Sequence, residues 1–336
     1  MALSDHYLPE TDLCNQFTQQ EDYRMFQTSV SPGPYLDSNF TQVPTPIEET
    51  TVVSVSTVFF PGANGVEADL VLSSSDSVLF YVQSSIIIAA CDTAFRSIAN
   101  MPLSNKKLRN VILNIPDSSE VLNIILHMLY GTSCAQHSPA FDALITAVDR
   151  MPFYEISPKA LIVPNTPLYT YLLSHAPLYP IQLYTLAGHH KLEALAIHTS
   201  SHLLAYPLAN ITDDTAQRIG AIYLKRLMNL HVNRLNALKE ILLLPPHPHP
   251  PTKECGFGEQ KKLTRAWALV SAYLAWESRP DLSTHSMQIA FGPVAERLTC
   301  QQCKGGVNSR IKDVIVQWIS VKVSNTVYPL CAARYS

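Results

Sequence analysis

The chain has 336 residues, 47% of them apolar and 15% charged, with 24 Lys and Arg against 27 Asp and Glu. That is ample material for buried cores and room for two modest domains, which excludes global disorder. A net charge of −3 excludes a basic polyanion binder, so nucleic acid is not expected as a partner.

Residues 1–50 stand apart. Asp5, Glu10, Asp12, Glu21, Asp22, Asp37, Glu48 and Glu49 face the single base Arg24, so the stretch carries −7 and the rest of the chain +4. It is rich in Gln, Ser, Thr and Pro and has no apolar period, so a disordered acidic tail is expected. The first residues lack the basic start and apolar core of a secretory leader. No stretch approaches the roughly 20 apolar residues of a membrane span. The seven cysteines (Cys14, Cys91, Cys134, Cys255, Cys300, Cys303 and Cys331) are odd in number and scattered, which is no disulfide framework. An intracellular location, cytoplasmic or nuclear, with no membrane contact is the expectation.

The β-branched run 51–60 predicts a lead-in strand, stopped by Pro61-Gly62. Residues 68–72 and 78–82 around the polar turn 73–77 predict a hairpin. Ser84 or Ser85 can cap a helix over 86–91, and a second short helix is expected near 93–98. Residues 111–115 predict a strand ended by Pro116. Asp117 with Glu120 three residues on is a capping-box variant opening a helix over 121–130, which Gly131 closes. Further helices are predicted over 141–150 and about 168–174.

Beyond Leu178 the pattern is helical. Residues 179–205 carry apolar side chains at near-helical spacing. The longest periodic stretch, 213–244, has the seam Ile219, Tyr223, Leu227, Leu230, Leu235, Leu238 and Leu242, with Arg234 off it. Pro245-Pro246-His247-Pro248-His249-Pro250-Pro251 cannot be helical and predicts a stiff extended link. Helices are predicted over 259–278, 287–298 and 311–323, and no internal repeat is seen.

Ala68-Asp69-Leu70, Phe80-Tyr81-Val82-Gln83, Ala89-Ala90-Cys91 with Phe95, and Ile115-Pro116-Asp117 through Leu129-Tyr130-Gly131 together resemble the BTB/POZ family. Gln83 stands where that family usually has His, and Cys91 where it has Ser. The later runs Gly220-Ala221-Ile222-Tyr223-Leu224-Lys225-Arg226-Leu227, Thr264-Arg265-Ala266-Trp267 and Arg279-Pro280-Asp281-Leu282, with the Pro-His-Pro stretch and a Cys-x-x-Cys, resemble a fungal group of such proteins with a helical extension. The resemblance implies an α+β N-terminal domain, a small sheet flanked by helices, followed by an all-α helical region. The expected division is a BTB/POZ-like domain at 51–176 (strongest over 66–131), helices at 177–244, a Pro/His-rich linker at 245–258 and a C-terminal helical region at 259–336. It also implies protein partners, homodimer formation and, by family likeness only, a link to cullin-type ubiquitin ligases.

No Gly-x-Ser-x-Gly, Walker loop or His-Glu-x-x-His occurs. Gly256 and Gly258 are followed by Lys261 where a dinucleotide fingerprint needs its third glycine. No enzyme, catalytic residue or cofactor is therefore expected. The best metal pattern is Cys300-Gln301-Gln302-Cys303 with Cys255, whose thiolates suit zinc. A fourth ligand could come from His285, His249 or Cys331; the plainer reading is cysteines buried as small apolar groups. His198 and His202 share a helix face, but without an acidic third ligand they read as surface histidines, as do His189 and His190. Trp267 and Trp276 face different sides of one helix, Trp267 toward the core. Lys106, Lys107 and Arg109 read as a solvated loop. The expected function is a protein–protein interaction module, adaptor or scaffold. The alternative is a metal-binding helical regulatory protein using Cys255, Cys300 and Cys303.

Overall fold

The computed structural model describes residues 54–63, 65, 67–98 and 112–324, excluding the side chains of 91–93 and 95–98. The acidic tail, Lys106, Lys107, Arg109, Cys14 and Cys331 lie outside the described residues.

Four short strands form a mixed sheet: β1 (Ser54–Val55), β2 (Leu70–Ser73), β3 (Val78–Val82) and β4 (Ile112–Asn114), in the order β1-β3-β2-β4. The predicted hairpin is present, with β2 antiparallel to β3. Its turn is held by the Ser74 hydroxyl, which donates to Asp76 Oδ1 at 2.6 Å and accepts the Val78 N–H at 3.0 Å. Alternation decides the faces: Leu70 and Leu72 are fully buried, while Val71 between them is only half-buried. β4 runs parallel to β2 and β1 parallel to β3. Parallel neighbours need a crossover connection, and α1 (Ser84–Ile98) lies in the link between β3 and β4. It is one helix where two were predicted, because Cys-Asp-Thr at 91–93 contains no glycine or proline to stop it. Asp69 fastens its start, accepting the Ser84 N–H at 2.6 Å and the Ser84 hydroxyl at 2.7 Å.

Helices α2 (Ser119–Leu129) and α3 (Phe141–Arg150) follow. The cap of α2 is Ser118, which accepts from the Val121 N–H, and not Asp117 as the sequence suggested. Asp117 turns to α3 and beyond, accepting from Arg150 Nε at 2.7 Å and from the Tyr154 hydroxyl. Glu120 accepts the Ala140 N–H at 2.9 Å, just before α3. Gly131, at φ +66°, closes α2 as expected.

The helical part comprises α4 (Pro158–Leu161), α5 (Pro167–Ser174), α6 (Pro180–His189), α7 (Glu193–Ser200), α8 (Asp213–Ile219), α9 (Ala221–Leu243), α10 (Phe257–Trp276), α11 (Thr284–Glu296) and α12 (Gln301–Ser320). A proline opens α4, α5 and α6, where its missing N–H costs nothing. The periodic stretch 213–244 is two helices, broken at Gly220 with φ +80°. Arg234, not Leu235, takes the buried position on α9. α12 begins ten residues before the predicted start, running through Gly305 and Gly306.

Two hydrophobic clusters result. One joins the sheet and α1–α8 and ends on α9 at Leu227; the other begins on α9 at Leu238 and gathers α10, α11 and α12. Residues 244–252 after α9 belong to no helix, strand or turn, as five prolines among them require.

Candidate metal centre

The second cluster contains a group of donors brought together from three places in the chain. α9 ends at Leu243, and Arg310 of α12 covers its free carbonyls, donating to Ile241 O at 2.7 Å and to Leu244 O at 2.9 Å. The prolines that follow bar a helix, and the segment they form brings His249 against the start of α12. Gln260, buried on α10, donates to the His249 carbonyl at 2.8 Å. His249 Nδ1 lies 2.7 Å from Pro250 O. A carbonyl only accepts, so Nδ1 carries the proton and Nε2 keeps its lone pair.

Cys255 closes a short turn: its N–H meets Thr252 Oγ1 at 3.1 Å, and the Thr252 N–H donates to Cys255 O at 2.9 Å. Cys300 precedes the first turn of α12 and Cys303 lies within it. The four donor atoms, His249 Nε2 and the sulfurs of Cys255, Cys300 and Cys303, all lie within 4.8 Å of one another. Cys255 and Cys303 are 3.6 Å apart, and each of Cys300 and Cys303 is 3.3 Å from His249 Nε2. All three cysteines are free thiols.

Their electrostatics differ by position. The Cys303 N–H holds the Cys300 thiol down at about 7. Burial pushes Cys303 up to about 12, with the neighbouring sulfurs adding to it, and burial likewise raises Cys255. Of the three fourth ligands that the sequence allowed, the structure brings His249 to the cysteines; His285 is not part of the group. A cleft of about 390 Å³ is lined by residues of α10 and α11 together with Cys255, Cys300 and Cys303.

The other candidates separate. Asp149, His189 and His190 also converge, with His190 Nε2 2.7 Å from Asp149. Arg218 ion-pairs with the same carboxylate, and a fixed guanidinium is a poor neighbour for a metal ion. His198 Nδ1 sits 2.8 Å from both the Tyr169 hydroxyl and Ala194 O, and neither it nor His202 joins a donor cluster among the described residues. Gln83 receives the Tyr130 hydroxyl and donates its backbone N–H to it, tying β3 to the end of α2. Trp267 is core, stacked on Phe291 at 4.1 Å, whereas Trp276 is 87% exposed. Gln260 was missed by sequence reasoning, because nothing local marks a glutamine as the holder of a carbonyl eleven residues away. No helix among the described residues is long and apolar enough to cross a membrane. Comparison with known proteins finds no matching family model, curated protein or solved structure.

Proposed function

We propose that this protein is an interaction scaffold that works through its surfaces rather than through bond-making chemistry. The observation that carries the reading is on α10. Leu269, Tyr273 and Trp276 are 73%, 60% and 87% exposed, and their spacing of four and three residues puts them in one line. The opposite face of the same helix, Leu263, Trp267 and Leu274, is core. A helix already anchored by one apolar face spends nothing in stability by showing a second one to water, and aromatic side chains in such lines carry binding energy.

The N-terminal part supports the same reading. Hairpin, helix, parallel strand and helix follow in the order that the BTB/POZ resemblance implies. That resemblance extends the proposal to self-association or adaptor duty, with a cullin-type ligase as one partner class. The test is sedimentation and affinity capture with mass spectrometry, on the wild type and on Tyr273→Ser with Trp276→Ser. Self-association or a specific partner, weakened at least tenfold by the double variant, is expected. A strict monomer without partners, or complexes indifferent to the two substitutions, would overturn the proposal.

Metal binding by the C-terminal helices is the second reading. The convergence of His249, Cys255, Cys300 and Cys303 favours it, and the metal content of the purified chain tests it.

A further inference from the structure

We propose that His249, Cys255, Cys300 and Cys303 hold one Zn²⁺ in a closed tetrahedral site, and that the ion fastens the proline segment 245–256 to the first turn of α12. The inference rests on the metal-binding reading and adds the ion, its coordination and its task.

The distances carry the first step. In a tetrahedron with Zn–S of about 2.3 Å and Zn–N of about 2.0–2.1 Å, sulfurs stand roughly 3.8 Å apart and sulfur and nitrogen roughly 3.5 Å. The structure has 3.6 Å between Cys255 and Cys303 and 3.3 Å from His249 Nε2 to each of Cys300 and Cys303. Hydrogen bonding among thiols does not explain this arrangement as well. With Nδ1 protonated, Nε2 offers one lone pair, which can accept one S–H, yet two sulfurs sit at the same distance from it. Donors equidistant in this way share a centre.

The donor set chooses the ion. Three thiols and an imidazole are borderline-soft ligands, suited to zinc, while calcium and magnesium require oxygen. No carboxylate belongs to the group. Four protein donors fill a tetrahedron and leave no position for water or substrate, the mark of a structural site.

The surroundings are those of a prepared site. The Pro250 carbonyl fixes the His249 tautomer, and Gln260 fixes its backbone. The task follows from the chain. Prolines 245, 246, 248, 250 and 251 have no N–H to donate, so segment 245–256 belongs to no helix or strand. A metal bridge between His249, Cys255 and the start of α12 closes that segment.

The test uses the full chain, purified under reductant, with metal analysis and Co²⁺ replacement. One zinc per chain is expected, and Co²⁺ should show the intense visible bands of a tetrahedral thiolate site. His249→Ala should lose zinc affinity, His249→Cys should retain it as a four-thiolate site, and His247→Ala, at an exposed position, should match wild type. Gln260→Ala should weaken zinc by about 10–100-fold. Chelation should speed hydrogen exchange in 252–256 and at the start of α12. Absence of any metal, with no Co²⁺ uptake, would overturn both this inference and the metal-binding reading. Three other results would overturn this inference and leave metal binding standing: metal indifferent to His249→Ala, cobalt without thiolate bands, or exchange unchanged on chelation.

Discussion

His127 on α2 is 2% exposed, and its imidazole is poorly provided for. Nδ1 meets Thr132 Oγ1 at 2.7 Å, but Nε2 has no hydrogen-bond partner among the described residues. The ring lies between Phe59 and His137, with centroids 5.3 and 5.2 Å away. Burial, and secondarily the charge of His137, lower its pKa from the usual 6.5 to about 4. A histidine with a depressed folded pKa binds its proton more readily when unfolded. Its penalty is therefore absent above pH 6.5, grows as pH falls, and levels off below about 4. The urea midpoint of the wild type should fall relative to that of His127→Gln across that window, because only the wild type carries this term. Curves that stay parallel from pH 6.5 to 4 would refute the assignment. Arg234 shows the opposite provision for a buried charge. It is 5% exposed but donates to Pro280 O at 2.6 Å and to Val321 O at 2.8 Å, with its guanidinium 4.1 Å above the Trp318 ring.

At the scale of elements, close approach is decided by glycine at one joint. Gly188 is buried in α6, and a Cβ there would lie 2.5 Å from Ile219 O at the end of α8. Backbone cannot rotate away as a side chain can, so Gly188→Ala must push α6 and α8 apart. The expected loss is about 1–3 kcal/mol by overpacking, larger than the gain in helix propensity. Gly305, exposed within α12, has open space at the same point, so Gly305→Ala should stabilise by about 0.5–1 kcal/mol. Equal denaturation midpoints for the two variants would contradict this picture. The same physics sets what could be read from sequence. The hairpin and α3 were legible because a polar turn and a clean apolar period mark them locally. The split of α8 from α9 was not, since Gly220 interrupts an apolar period that continues on both sides. α12 runs ten residues further toward the N-terminus than its apolar pattern marks, because the buried Cys303 and Val307 flank Gly305 and Gly306 on the core side of the helix. Cys300 and Cys303 announced themselves by spacing, whereas His249 was one of three choices until the proline segment folded back.

At the scale of the molecule, α9 is the shared member. The first cluster ends on it at Leu227 and the second begins at Leu238. The turn between looks both ways: His231 Nε2 is 3.0 Å from Leu203 O on one side, while Arg234 holds Pro280 and Val321 on the other. Glu193 of α7 fixes the first half of α9, accepting from Arg226 at 2.7 Å and from the Tyr223 hydroxyl at 3.1 Å. Continuity of this one helix therefore couples the two cores. Val232, 51% exposed, offers a way to break the helix without touching either cluster. Proline there removes a backbone hydrogen bond and clashes with the preceding turn, at a cost of about 3 kcal/mol. Two consequences are expected in Val232→Pro. Calorimetry should resolve two heat transitions, and hydrogen exchange should quicken in α10–α12 while β2, β3 and α2 stay protected. If the variant instead melts in one transition and all amides open together, the cores are coupled by surfaces other than α9.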